Sequence, residues 1–407
     1  MISSPHLPDF LLPSGFQFAA VKAGIKPSGK PDFAIAVADQ PAAAAAMFTG
    51  SRVVAAPLIV DRENLQQSGS RVRAVLVNAG NANCATGQAG IETCRDVCAV
   101  AARTFGCKTS EVFPSSTGII GVPLPGEKLV AALPEAHTAL GRTSAHFDQF
   151  AHAILTTDTR RKVSARHITT PDGKLVKIVG ACKGAGMIYP QLVPHATMLA
   201  NLFTDAAIEP AQLQTMLEQA VSISFNRISI DGDTSTNDTV LLLASGAGGG
   251  AIDTSNNEFQ QALADVCLDL AKQIVIDGEG ATHLVELHIA GAPTDAEALQ
   301  VARTIAHSPL VKTAWAGNDP NWGRILAAIG RSGVAIDPSR ITIHFGEHEI
   351  ARDGGLAPSF DEQAVHDYLS QPEFLVRVDL GIGTGTCRFW TCDLTKEYVA
   401  INADYST

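Results

Sequence analysis

The chain has 407 residues, 46% of them hydrophobic and 17% charged, with 35 glycines; that is more chain than one hydrophobic core usually serves, and it suits a compact α/β protein of two units rather than a disordered or fibrous one. Thirty basic against 41 acidic residues give a net charge of −11, and no Lys/Arg cluster is dense enough to track a phosphate backbone, which excludes nucleic acid as a partner. Eight thinly spread cysteines are the pattern of reduced thiols, not of a disulfide-stapled secreted domain.

The opening MISSPHLPDFLLPSGF lacks a basic region followed by an apolar segment, and AVADQPAAAAAMF is too short and interrupted to span a bilayer, so a soluble, cytoplasmic protein is expected. RVRAVLVNAGNANCATG predicts a strand at Ala74–Val77 running into a Gly/Asn turn. Behind it Ile91, Cys94, Cys98, Ala101 and Phe105 recur at helical spacing. The glycines of this turn do not form a dinucleotide or P-loop fingerprint. Cys94 and Cys98 stand one helical turn apart with nothing nearby to complete a zinc set, and are expected to be small core hydrophobes.

PSSTGIIG (Pro114–Gly121) reads as a turn of small hydroxylated residues and Gly. It is either a plain turn or one whose N–H groups and Thr hydroxyl face a developing oxyanion; a serine nucleophile is disfavoured by the lack of a GxSxG elbow. TTDT (Thr156–Thr159) offers hydroxyl and carboxylate groups for a polar pocket, or equally for turns and caps. In PHATMLANLFTDAA, Thr204 and Asp205 are placed to cap a following helix, while Thr197 follows Ala196. An internal Thr is a poor nucleophile and commonly a helix cap. Cut free at its amino side, the same residue gains an α-amine titrating near ~7.7–8.0, a base for its own hydroxyl.

RISIDG and TVLLLAS predict strands flanking a polar loop. In that loop Asp231, Asp233, Ser235 and Asn237 begin like a calcium site, but Thr236 replaces its Gly and Leu242 its closing Glu, so a loop folded on its own hydrogen bonds is expected. SGAGGGAIDTSNN (Ser245–Asn257) reads as a surface loop. Phe259, Leu263, Val266, Leu270 and Ile274 predict a helix, LVELHIA a strand, and TDAEALQVARTIAH a helix with Thr294 and Glu297 in capping-box spacing. The pattern restarts after DGEGATH, which puts a domain boundary near residue 285. NDPNWGR (Asn318–Arg324) is pocket or cap chemistry.

Taken together, VNAGNANCATG, SSTGIIGVPLP, ILTTDTRRK, KGAGMIYP, HATMLANLFTDAA, SFNRISIDGDTSTNDTV, DGEGATHLVE, SPLVKTAWAGNDPNWGRILAAIGRSG and CDLTKEYVAINADYST span nearly the whole chain. In this order they resemble the ornithine acetyltransferases, the family also called arginine biosynthesis bifunctional protein ArgJ or glutamate N-acetyltransferase. The resemblance implies an α/β fold: a self-cleaving, N-terminal-nucleophile αββα-type sandwich (DmpA/ArgJ-like) over residues 1–285, with a smaller C-terminal α/β domain over 286–407. It implies scission between Ala196 and Thr197, giving an α chain of 1–196 and a β chain of 197–407, assembled as (αβ)2 or larger. The implied reaction moves acetyl from N2-acetyl-L-ornithine to L-glutamate in arginine biosynthesis, by ping-pong through an acetyl-threonine, with ornithine and N-acetylglutamate as products.

By the same resemblance Thr197 is the nucleophile and supplies its α-amine as base, and Thr117 and Gly118 form the oxyanion hole. Thr156, Lys183, Thr197, Glu279, Asn402 and Thr407 contact substrate. No cofactor or metal is implied, acetyl-CoA being a co-substrate in some family members; neither nucleic acid nor membrane is a partner. The residues suit these roles, Lys183 as a cation for a carboxylate and Glu279 as an anion for an amino group. By themselves both are equally surface charges, and Asn402 a turn former. Two departures stand out. IYPQLVPH is three residues longer than the family's spacer and puts His195 before Ala196, and His283 stands where the family carries Lys. A water-resolved hydrolase and an uncleaved binding protein are the other readings.

Overall fold

The computed structural model describes residues 8–192 and 198–404; His195, Ala196, Thr197 and Thr407 lie outside them. The chain opens with β1 (Phe16–Val21) and β2 (Phe33–Phe48). It continues through α1 (Ala56–Ser68), β3 (Arg71–Asn81), α2 (Gly87–Phe105), β4 (Val112–Ile119), α3 (Gly126–Thr138) and α4 (Ser144–Ala153), then β5 (Lys162–Thr169), β6 (Leu175–Lys183) and β7 (Leu199–Thr204). Next come α5 (Pro210–Ser222), the short β8 (Ile228–Ser229), β9 (Thr239–Ala244) and α6 (Asn257–Ile276).

β2 organises the first sheet, and its alternation explains how. Phe33, Ile35 and Val37 point to one core shared with α2 and α3. Farther along the same strand Ala43, Ala45 and Met47 join a different core, shared with α5 and α6. The even positions Ala34, Ala36, Ala38, Ala42, Ala44 and Ala46 all face a third core. β1 and β9 follow one another along one edge of β2, at Phe33–Ala38 and Ala43–Phe48, while β3 lines the other edge. The ladder to β3 breaks between Val37 and Ala42, around Pro41, as expected where a proline interrupts a strand.

The sheet therefore divides at β2. One leaf is β1-β2-β3-β4, the other β2-β9-β7-β6-β5, and they face each other across the third core, where Phe16, Phe18, Phe147, Phe150 and Phe203 meet edge to face. With α2/α3 outside one leaf and α5/α6 outside the other, the order of layers is αββα, as the resemblance implied.

The remaining chain runs through β10 (Leu284–Ala292), α7 (Asp295–Ala306), α8 (Pro309–Ala316), α9 (Trp322–Gly330), β11 (Thr342–Phe345), β12 (His348–Arg352), β13 (Gly355–Leu356), α10 (Glu362–Leu369), β14 (Glu373–Asp379), β15 (Gly385–Cys392) and α11 (Lys396–Asp404). Its strands form a second sheet in the order β13-β12-β11-β14-β10-β15-β8. β8 belongs to this sheet although it precedes α6 in the chain, pairing parallel to β15 at Trp390 and Thr391. The two strands predicted around the polar loop thus lie in different sheets, and the loop crosses between them. Trp390, Cys392 and Leu284 pack on the α5/α6 core, which joins the two sheets.

Two local expectations are corrected. Thr204 and Asp205 do not cap a helix: Thr204 ends β7, Asp205 accepts from the N–H groups of Ser14 (3.0 Å) and Lys177 (2.8 Å), and α5 starts five residues past Asp205 at Pro210, whose fixed φ suits a first helical position. PSSTGIIG is not a turn through Ile119; it is the end of β4, held by parallel pairing to β3. Cys94 and Cys98 are buried core residues, as expected. Among the described residues no His/Cys/Asp/Glu group is arranged to hold a metal, and no helix is long and apolar enough to cross a membrane.

Candidate active site

Where the two leaves open at one end, a pocket of about 150 Å³ is lined by Thr117, Gly118, Thr156, Lys183, Glu279 and Asn402, together with Met198 and Leu199. Met198 is the residue after Thr197. Six of the residues picked out from sequence are thus gathered from separate segments of the chain, while Ala196, Thr197 and Thr407 lie outside the described residues.

The last residues of β4 carry the first wall. Gly118 has φ +133°, and a Cβ there would lie 2.3 Å from the carbonyl carbon of Gly80 in β3, so only glycine fits this close approach. Ser116 donates to Asn78 at 2.6 Å, and Asn237 donates to the carbonyls of Ser116 (2.9 Å) and Ala82 (2.6 Å). These bonds fix the strand end from both sides. Lys183, at the end of β6, donates from Nζ to Thr117 Oγ1 at 3.1 Å. Burial pulls the Lys183 ammonium below the ordinary lysine value, and Asp158, Glu279 and Asp238 oppose that shift.

Glu279 lies just past α6, its N–H bonded to Ala185 O at 2.9 Å. A side chain at Gly186 would meet its carboxylate at 2.4 Å, so the glycine leaves room for Glu279 in its present position. Asn402 of α11 donates to Glu279 Oε2 at 2.9 Å, so the C-terminal helix reaches the pocket through this bond.

Several residues in and behind the pocket wall have roles that sequence reading did not catch. Asp158 lies in the quoted TTDT, but as a member of a buried charge cluster it is unexpected: Lys162 Nζ bonds both Asp158 (2.6 Å) and Asp277 (2.5 Å), and all three side chains are inaccessible. Asp238 lines the pocket, and burial raises its carboxyl well above the ordinary value. Asp231, the first residue of the calcium-like run, accepts from the N–H groups of Met187 (2.6 Å) and Ile188 (2.8 Å), and Thr234 donates to Tyr189 O at 3.0 Å. The polar loop therefore hydrogen-bonds outward as well as within itself, clamping the turn after β6, where Met187 has a positive φ of 55°.

Other sequence candidates lie elsewhere. In NDPNWGR, Asn321 caps α9 by accepting from Arg324 N at 3.2 Å, which is cap chemistry away from the pocket. His283 is buried against Phe374, with Nδ1 2.9 Å from Gln371 O, and is neither in the pocket wall nor a surface residue.

With this geometry in place, comparison with known proteins gives consistent matches. The ArgJ family model matches residues 17–407. An arginine biosynthesis bifunctional protein ArgJ of Geobacter sulfurreducens is 45% identical over 397 residues, covering 97% of this chain and 99% of that protein. The protein of the same name from Chlorobaculum tepidum is 42% identical over 407 residues, covering 100% and 99%. Among solved structures, ornithine acetyltransferase of Mycobacterium tuberculosis in complex with ornithine is 36% identical with a TM-score of 0.41, covering 44% of this chain and 94% of that one.

Proposed function

The chain belongs to the ArgJ family, and on that premise we propose that it is an ornithine acetyltransferase that cleaves itself between Ala196 and Thr197. The observation that carries this reading is the convergence of Thr117, Gly118, Thr156, Lys183, Glu279 and Asn402 on one pocket whose wall continues into Met198, the neighbour of Thr197.

In this reading the Thr197 hydroxyl attacks the acetyl carbonyl of N2-acetyl-L-ornithine while the freed α-amine takes its proton. The oxyanion that develops is met by Thr117 and Gly118 at the end of β4. Collapse breaks the amide bond, the proton passes to the departing nitrogen, and ornithine leaves an acetyl-threonine ester. The amine of L-glutamate then attacks that ester, giving N-acetylglutamate and restoring Thr197. Lys183 receives the amino-acid carboxylate and Glu279, steadied by Asn402, the amino group of ornithine, with Thr156 and Thr407 completing the contacts. Self-cleavage uses the same hydroxyl on the Ala196 carbonyl, as an N→O acyl shift followed by hydrolysis.

The two chains so formed stay together by the sheet itself. β6 lies before the cut and β7 after it, and they pair from Ile178–Thr204 to Lys183–Leu199; β2 and β9 pair across the same division. Assembly of two such αβ units belongs to the same proposal. The word bifunctional in the relatives' name supports a second acetyl donor, which we take to be acetyl-CoA.

The test is product analysis with acetyl-labelled N-acetylornithine, with and without glutamate. Label in N-acetylglutamate, dependent on glutamate, is expected; labelled acetate released at a rate indifferent to glutamate would make the protein a hydrolase and overturn the reading. Labelled acetyl-CoA in the same assay reads the second donor.

A further inference from the structure

The segment TTDTRRK carries two charges that do not reach water. Asp158 Oδ1 accepts from Lys162 Nζ at 2.6 Å and from Gly184 N at 2.7 Å, and its Oδ2 accepts from Thr156 N at 3.0 Å. Lys162 in turn donates to Asp277 at 2.5 Å, and Asp277, at the end of α6, also accepts from Thr159 N at 3.1 Å and Arg160 Nε at 3.3 Å. Each arm of this cluster ends beside a pocket residue. Thr156 is bonded directly, Gly184 is next to Lys183, and Asp277 lies two residues before Glu279.

A buried ion cluster contributes little net stability, because desolvation offsets the attraction. What it supplies here is geometry and sign. Two carboxylates surround one internal ammonium, Arg160 adds a second cation on Asp277, and Lys183 ends the strand beside the Gly184 N–H that Asp158 holds.

We propose that Asp158 is a positioning residue: with Lys162 and Asp277 it sets the Thr156, Lys183 and Glu279 segments around one pocket and keeps Lys183 in its ammonium form to receive a substrate carboxylate. This rests on the reading of Lys183 as a substrate contact. The charged groups acting on Lys183 are Asp158, Glu279 and Asp238, which favour the ammonium, and Lys162, which opposes it; Lys26, itself pulled down to about 8 by burial, also acts in this field. Asp158 is the largest of the favourable ones. Burial raises its own carboxyl, but Lys162 and Lys183 outweigh that and hold it well below the ordinary range.

The experiment follows the titration of Lys183 in protein carrying ¹³C at the lysine ε-carbons, with the resonance assigned from Lys183→Met. In the unmutated protein Lys183 is an ammonium at pH 7; a Lys183 already neutral there overturns the proposal with no variant needed. In Asp158→Asn its titration falls by about one pH unit or more. The alkaline limb of kcat/KM moves with it, and KM for N-acetylornithine and glutamate rises by about tenfold, more than kcat changes. Asp277→Asn removes a charge of the same cluster that is not among the largest acting on Lys183; it lowers the melting temperature and moves that titration less than Asp158→Asn does. An Asp158→Asn protein that folds with an unmoved Lys183 titration and alkaline limb overturns the proposal. Absence of acetyl transfer in the unmutated protein would overturn the proposed function while leaving the titration result standing.

Discussion

The ammonium of Lys183 donates to the hydroxyl of Thr117 across 3.1 Å. A hydroxyl that already accepts a hydrogen bond keeps its own proton free to donate, and a developing oxyanion needs such a donor. Lys183 retains two further N–H groups for a carboxylate. One contact thus serves both halves of the proposed chemistry.

Removing that donor is expected to slow the chemical step. Thr117→Val keeps the shape of the side chain and should lower kcat by about 10²–10³-fold with little change in KM, whereas Thr117→Ser should stay within about tenfold of the unmutated rate. Steady-state kinetics of the two variants check this; equal rates for valine and serine would remove Thr117 from the oxyanion site.

Gly118 is expected to tolerate no side chain. With φ at +133° and Gly80 and Asn81 backbone atoms within 2.7 Å of a built Cβ, Gly118→Ala must push β4 off β3. A loss of about 2 kcal/mol or more in urea unfolding is predicted, from backbone strain plus the broken ladder.

Lys162→Met leaves Asp158 buried without its bonded cation and Asp277 with Arg160 alone, and should destabilise the protein by about 3–5 kcal/mol near neutrality. The sign of the pH dependence follows from the depressed Asp158 value. In the unmutated protein this carboxylate contributes stability above the unfolded-state value of about 4, and that contribution is lost on acidification. The gap between variant and parent should therefore narrow below about pH 4; denaturant midpoints measured across pH show whether it does.

How much of this was legible in the sequence depends on the kind of signal. The helices at Gly87–Phe105 and Asn257–Ile276 and the strand at Leu284–Ala292 announce themselves by period, because each presents one face to one core. β2 does not, since small alanines face cores on both of its sides and read as an uninformative run. Pro, Ser and Gly in PSSTG are turn residues by propensity, and only pairing to the distant β3 makes them strand. The site residues were legible through resemblance alone. Lys183 and Glu279 are ordinary charges until the fold buries one and brings Gly186 against the other. The Asp158–Lys162–Asp277 cluster joins residues more than a hundred positions apart, which no local pattern encodes.

Asp61 gives a pH dependence of opposite sign. It is fully buried and neither carboxylate oxygen has a hydrogen-bond partner in the structure, so desolvation, followed by the neighbouring Cys98, raises its value well above the ordinary carboxylate range. A raised folded-state value means stability that is complete below about pH 4 and lost as pH climbs through the folded value. Asp61→Asn should flatten the decline in urea midpoint between pH 5 and pH 9; an unchanged slope would mean that the decline arises elsewhere.

The account stands most directly on the fate of the bond between Ala196 and Thr197. Intact-mass analysis of the purified protein beside Thr197→Ala, with amino-terminal sequencing of the products, measures it. Two chains are predicted for the first, one of them beginning Thr-Met-Leu, and one inactive, full-length chain for the second. Full acetyl transfer by a single uncut polypeptide would contradict the account.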